Sequence, residues 1–240
     1  MTTRGRLTES DRRARDFYER RARTNDLHLR VASLLQGIWE PSERRKFVSQ
    51  LELTLGQRVL EVAVGTGSNL PLIANDVGPK GRLTGLDLSP AMLQQCRRKF
   101  RRLRRKADLI EAEASQLPVA DNSFDVVLHF GGIKNFGNKK KAFEEMIRVA
   151  RRGGKVIVSE KCVPPDKRSS LRGRLLLRLD PLLAHQPPMD LVPPTVDDLH
   201  CSWFWNKTAY MISFTKPYGM PSSSAPQTQP AQRKVAKADQ

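Results

Sequence analysis

Long apolar runs are scarce in this 240-residue sequence, and none approaches the roughly 20 residues that a helix needs to cross a bilayer. No apolar segment follows the basic residues at the start, so we expect no secretory signal. The three cysteines, Cys96, Cys162 and Cys201, are odd in number and far apart, which argues against a disulfide framework and a zinc site. We therefore expect a cytoplasmic protein without a metal site.

Acidic residues are also in the minority, with 25 against 42 lysines and arginines and a formal net charge of +17. Such an excess attracts anionic partners over a Debye length of roughly 8–10 Å. Residues 97–106 (Arg97 to Lys106) include eight basic residues, and residues 167–184 combine arginines with leucines. The leucine-rich pattern is typical of helices at a membrane interface, so these segments indicate an anionic membrane surface as a partner. A solvated basic surface without a partner explains the same composition.

Glycine, proline and β-branched residues divide the middle of the chain into strands that alternate with helices. Five apolar strands are predicted, at residues 58–64, 82–87, 108–112, 124–130 and 155–159. This alternation indicates a parallel sheet covered on both faces. Two strand-like runs, 199–205 and 208–214, flank Asn206 and Lys207 and predict a C-terminal antiparallel hairpin. We expect a doubly wound α/β fold with a mostly parallel, seven-stranded sheet.

The predicted domain boundaries follow the changes in composition. Residues 1–44 are interpreted as a helical N-terminal lead-in or lid, whose apolar residues between Leu27 and Ile38 predict an amphipathic helix packed on the domain. Residues 45–216 form the main domain, in which a helix at 139–150 is ended by Gly153 and Gly154 and a basic helix covers 169–184. Residues 217–240 are rich in Pro, Ser, Gln and Lys and predict a disordered tail.

A glycine-rich turn follows the first predicted strand. Gly65 and Gly67 lack a Cβ, so the backbone there can approach a ligand closely, and helix N–H groups follow to receive an anionic group. Asp87 ends the second strand, where its carboxylate can accept hydrogen bonds from both hydroxyls of a ribose. Glu113 lies just past the third strand, within reach of an adenine.

This ordered set resembles the class I methyltransferases that use S-adenosylmethionine (SAM), across roughly residues 45–216. In that family an acid in the first strand precedes the glycine turn, the acid after the second strand holds the ribose, and the acid after the third lies near the adenine. The resemblance implies SAM as cofactor and a set of cofactor-binding residues. They are Glu61, Ala63, Gly65, Thr66, Gly67, Asp87, Leu88, Met92, Glu113 and Ala114.

Other nucleotide-binding motifs fit less well. A dinucleotide fingerprint needs a third glycine where this chain has Leu70, and the turn has no Lys-Ser/Thr pair for a phosphate loop. SAM carries no pyrophosphate, so the shorter glycine set suits it.

Three stretches are similar to the ubiquinone/menaquinone C-methyltransferases (the UbiE-like, type 11 family). Ala63 replaces the first glycine of the common motif, residues 77–93 are similar to that family's second-strand region, and residues 130–136 and 142–155 are similar to its fourth-strand loop and helix. The resemblance implies a prenylated quinol acceptor. Departures lie on the substrate side: Ser68 replaces an aspartate, Lys134 an arginine, and a proline-rich link replaces the helix before the sixth strand.

Methyl transfer from a sulfonium needs positioning, plus a base where the acceptor must lose a proton. The candidates lie after the fourth strand and are His129, Lys134 and Asn135. For His129, packing beneath a helix is an equally good interpretation.

Four functional hypotheses remain open from the sequence. A small-molecule or lipid methyltransferase acting on a quinol carbon leads, followed by N-methylation of a phospholipid or another amine. Nucleic-acid methylation is supported by charge alone and is less favoured, because no base-methylation motif or aromatic platform accompanies it. A catalytically silent SAM-fold partner in a biosynthetic complex is allowed by the altered substrate-side motifs. The oligomeric state stays undetermined.

Overall fold

The computed structural model describes residues 7–35, 39–103, 106–205 and 207–219. Its seven strands form one sheet in the order β3-β2-β1-β4-β5-β7-β6, in which β7 runs antiparallel to both of its neighbours. The strands are β1 (Arg58–Val62), β2 (Arg82–Asp87), β3 (Asp108–Glu111), β4 (Phe124–Phe130), β5 (Ala150–Lys161), β6 (Asp197–Phe204) and β7 (Ala209–Thr215). The predicted doubly wound sheet and the C-terminal hairpin are confirmed.

Seven α-helices accompany the strands within the described residues. They are α1 (Glu9–Arg21), α2 (Asn25–Leu35), α3 (Glu40–Ser49), α4 (Leu70–Val77), α5 (Pro90–Arg102), α6 (Lys139–Val149) and α7 (Leu171–Leu179). None of the described helices is long and apolar enough to cross a membrane.

Both faces of the sheet are buried, because neighbouring residues of a strand point to opposite sides. Val59 packs with Phe47, Ile73 and Leu93 in one core, whereas Leu60 packs in a second core on the opposite face. That second core contains Phe143 and Met146 of α6 and Tyr210 of β7. The two cores hold the carboxyl ends of β1, β2, β4 and β5 at one edge of the sheet.

The prediction that Gly153 and Gly154 end the sixth helix is wrong. α6 ends at Val149, and β5 begins directly at Ala150, which pairs with Phe124. Gly153 lies inside the strand with a left-handed φ of 69°, where its N–H donates to the carbonyl of Lys216. The two glycines therefore lie in an irregular stretch near the start of β5. The whole strand is twelve residues long.

The predicted amphipathic helix is present as α2, but the prediction that its apolar residues pack on the domain is wrong, because four of them are exposed. Leu27 and Leu34 are 63% and 64% exposed. The predicted helix over 169–184 is shorter, because α7 ends before Asp180 and a separate 3-10 turn covers Pro181–Ala184. The prediction for residues 217–240 lies outside the described residues except at 217–219.

Candidate cofactor and acceptor site

In the turn after β1, three alternate residues have a left-handed backbone conformation. Ala63, Gly65 and Gly67 have φ values of 56°, 56° and 71°. A Cβ on Gly65 would meet no atom within 4 Å, whereas one on Gly67 would lie 2.4 Å from the Cys96 sulfur. Gly65 thus leaves open space for a ligand, and Gly67 allows α5 to pack against the turn.

A cavity of about 790 Å³ opens beside this turn at the carboxyl edge of the sheet. One half, here called the cofactor half, is lined by nine of the ten predicted cofactor-binding residues, all except Gly67. The other half, here called the acceptor half, is lined by Lys134, Asn135, Lys161 and Trp205, and by four leucines, Leu175, Leu176, Leu179 and Leu183, of α7 and the following turn. The two halves are continuous.

Asp87 is fixed by backbone N–H groups on both of its oxygens. Gly65 donates to Oδ2 at 2.7 Å, and Ser89 donates to Oδ1 at 2.9 Å. Burial raises the pKa of this carboxyl to about 6, although these hydrogen bonds act in the opposite direction. A carboxylate held in this way still has lone pairs for two ribose hydroxyls.

Glu61 is buried deeper in the cavity wall and has one unpaired oxygen. Its Oε1 accepts from Asn69, whose own side-chain oxygen accepts from Arg44 at 2.5 Å. Its Oε2 is buried without a hydrogen-bond partner among the described residues, and burial raises the pKa of the carboxyl to about 7. A ligand ammonium group would satisfy this oxygen, which fits the amino group of SAM.

Sequence comparisons agree with this geometry. A family model described as a methyltransferase domain matches residues 59–154. A demethylmenaquinone methyltransferase from Lactobacillus johnsonii is 31% identical over 175 residues, which cover 72% of this chain and 69% of that protein. This chain belongs to the UbiE-like family of class I SAM-dependent methyltransferases.

A second relative, the demethylmenaquinone methyltransferase of Renibacterium salmoninarum, is 42% identical over 117 residues, which cover 49% of this chain and 46% of that protein. The matched part of the chain thus spans between about half and two thirds of the length of these two curated relatives. Among solved structures, the geranyl diphosphate C-methyltransferase of Streptomyces coelicolor A3(2) matches with a TM-score of 0.61 at 11% identity, covering 74% of this chain and 79% of that one. This likeness shows a shared fold.

The acceptor half of this UbiE-like methyltransferase brings Lys134 and Asn135 together but not His129. Lys134 forms an ion pair of 3.0 Å with Asp180, and Asn135 donates to the hydroxyl of Tyr18 at 3.3 Å. His129 is fully buried, with Nδ1 at 2.9 Å from the carbonyl oxygen of Val62, and it does not line the cavity. Burial lowers its pKa, which favours the neutral ring. Its catalytic role stays a prediction.

Several lining residues were missed in the sequence. Tyr18 lies in α1, and its burial near Glu160 and Asp87 raises its pKa to about 12. Glu160 and Lys161 end β5, one and two residues beyond the predicted strand, and Trp205 directly follows β6. Only the position of residues 160–161 at a strand end could have identified them, because the others come from elements with no motif.

The N-terminal segment contacts the methyltransferase domain at three places around the cavity. Asp11 accepts from Gly137 N–H at 2.9 Å, and Glu19 accepts from Ser89 and Ala91 at the start of α5. Asp26 of α2 accepts from Thr66 at 2.5 Å and from Lys99 at 3.0 Å. Helix α1 therefore runs over the cavity between its two halves, and α2 reaches the glycine turn itself.

Proposed function

We propose that this methyltransferase methylates a carbon of a prenylated quinol-type ring. The main support for this proposal is that the cavity is continuous. It runs from the predicted cofactor-binding residues to the acceptor half, which is lined by leucines and polar side chains. A hydroxylated ring suits the polar junction of the two halves, and an isoprenoid tail suits the leucines. The names of the relatives, demethylmenaquinone methyltransferases, support the same substrate class.

The chemistry asks little of the chain beyond geometry. SAM supplies an activated methyl group, and an electron-rich ring carbon next to a hydroxyl can accept it. Lys134 and Asn135 line the acceptor half, where they can hydrogen-bond to ring oxygens, while α1 covers the site against water. We interpret α1 and α2 as the lid that the sequence predicted.

Helix α7 is proposed to rest on an anionic membrane surface. Leu171, Leu175 and Leu179 are 86%, 58% and 75% exposed, and three arginines, Arg172, Arg174 and Arg178, share the same nine-residue helix. Exposed leucines beside arginines match an interfacial helix. Because Leu175 and Leu179 also line the cavity, a tail can pass from lipid to the site along one helix.

Methyl transfer from labelled SAM tests the substrate class. We expect label in a chemically reduced 2-prenyl-1,4-naphthoquinol, and a product with a new carbon-bound methyl group by mass spectrometry. A Leu176→Ser variant should lower kcat/KM about tenfold for the prenylated acceptor and leave tail-less 1,4-naphthoquinol unchanged, because Leu176 lines the apolar half. Label in phosphatidylethanolamine or tRNA instead would contradict the proposal, as would no label in any acceptor.

Flotation with phosphatidylglycerol vesicles tests the membrane surface. Replacing Leu171, Leu175 and Leu179 together by serine should reduce the bound fraction several-fold at all salt concentrations, since lost apolar area is not screened. Equal flotation of wild type and variant would refute the role of α7.

A further inference from the structure

Lys161 places an ammonium group in the acceptor half of the cavity without a carboxylate partner. It is the last residue of β5, and no carboxylate oxygen of the described residues lies within 4.0 Å of its Nζ. The adjacent Glu160 is committed elsewhere, because its oxygens accept from the N–H groups of Gly132 and Lys161. The ammonium instead lies 4.4 Å from the ring centroid of Trp205.

Trp205 lines the same half of the cavity and carries a second hydrogen-bond donor. Its side chain is buried against Phe130 and Phe204, with ring centroids at 5.5 Å and 5.8 Å. Its Nε1–H is buried and meets no acceptor among the described residues. A buried donor without a partner costs free energy unless a ligand supplies the acceptor.

We propose that Lys161 and Trp205 together bind the ionised hydroxyl oxygen of the acceptor ring. A cationic donor and an indole donor in a desolvated pocket favour an oxyanion over a neutral hydroxyl. The proton of that hydroxyl passes to solvent on binding, and the negative charge raises the electron density of the neighbouring ring carbon. This carbon forms a bond to the methyl carbon as the methyl–sulfur bond breaks and S-adenosylhomocysteine leaves, and the ring regains its aromaticity when the same carbon loses its proton to water. This inference rests on the proposed function only in taking a hydroxylated ring as the acceptor.

The electrostatic surroundings of Lys161 agree with an anionic ligand. Burial lowers its pKa to about 8, and the neighbouring Arg44 and Lys134 act in the same direction. The acids Glu160 and Glu40 oppose this shift only in part. A bound phenolate would restore the charged ammonium, so ligand ionisation and lysine protonation stabilise each other.

The test uses 4-nitro-1-naphthol, whose colour reports its ionisation, added to the full chain saturated with S-adenosylhomocysteine. For wild type we expect the bound naphthol to ionise at least one pH unit lower than the free naphthol. Lys161→Met should abolish this shift, and Lys161→Arg should retain it. Trp205→Phe should make the ionisation constant of the bound naphthol about threefold smaller than in wild type. The matched control is Lys80→Met, which replaces an exposed lysine at the opposite edge of the sheet. This variant should show the same shift as wild type.

Calorimetric titration with S-adenosylhomocysteine should give the same affinity for all five proteins, which shows that each is folded. Unshifted ionisation in wild type, absence of naphthol binding, or an unchanged shift in Lys161→Met would overturn the inference. Methyl transfer to the naphthoquinol without an ionisation shift would retain the proposed function and reject this site. A shift without transfer to the quinol would support the site and reject the quinol.

Discussion

The cofactor half and the acceptor half of the cavity are built by different means. Around Gly65 and Asp87 the polar contacts are backbone N–H groups held by buried strands, and both cores of the sheet support them. The acceptor half is assembled from α1, α7 and the ends of β5 and β6, and several of its leucines remain exposed. We therefore expect the cofactor half to be the more rigid of the two, because the acceptor half depends on elements outside the sheet.

The sharpest test of this contrast removes Asp87. Asp87→Ala should weaken SAM binding roughly 100-fold, because two charge-assisted hydrogen bonds to the ribose are lost. Binding of a naphthol to the acceptor half should change much less. Isothermal titration measures both affinities, with exposed Asp76→Ala as control. Equal losses for both ligands would show that the halves are one coupled site.

Glu61→Gln should separate ligand affinity from stability within the cofactor half. Because burial raises the pKa of Glu61 to about 7, its contribution to stability is present below the ordinary carboxyl pKa and is lost as pH rises through 7. The variant, which cannot ionise, should therefore be more stable than wild type by roughly 2–3 kcal/mol at pH 8, and by much less at pH 5.

Urea unfolding of the ligand-free proteins at the two pH values measures this difference. SAM affinity should fall about tenfold in Glu61→Gln, since the acceptor for the amino group is lost. A variant that is less stable than wild type at pH 8 would contradict this prediction, because it would show that other groups stabilise the buried carboxylate of Glu61.

The smallest effect is expected at the contact between α2 and the glycine turn. Asp26→Ala removes acceptors for Thr66 and Lys99 on a partly exposed side chain, so SAM affinity should fall only two- to fivefold. Hydrogen exchange of α2 should speed up in the SAM complex, whereas Asp16→Ala on the exposed face of α1 should leave it unchanged. Unaltered exchange in Asp26→Ala would remove the support for α2 as part of a lid.

Local patterns in the sequence predicted the sheet, and nine of the ten residues predicted to bind the cofactor line one half of the cavity. Strand β4 has the predicted limits, and the cavity lining includes Glu61, Asp87 and Glu113, because a strand followed by a turn places its next residues at one edge. The acceptor half could not be predicted in the same way. Tyr18 and Trp205 reach the cavity through long-range packing of α1 and the β6–β7 hairpin, and no local spacing encodes that packing.

The exposure of the leucines of α2 could not be predicted from their spacing in the sequence. Their helical spacing was interpreted as a buried face, but Leu27, Leu29 and Leu34 are exposed, and the polar Asp26 accepts the hydrogen bonds from the domain. An apolar stripe predicts that some surface will cover it, and this surface need not belong to the same domain.

The direction of β7 has a practical consequence for handling the protein. Ala209 pairs with Lys161 at the cavity, and Thr215 pairs with Lys155 near the opposite edge of the sheet. Lys216 is anchored there by hydrogen bonds from its Nζ to Asn122 and to the carbonyls of Arg148 and Ala150. A label, a fusion partner or a surface attachment joined after Gly219 therefore begins on the side away from the cavity, and it leaves the entrance of the cavity open.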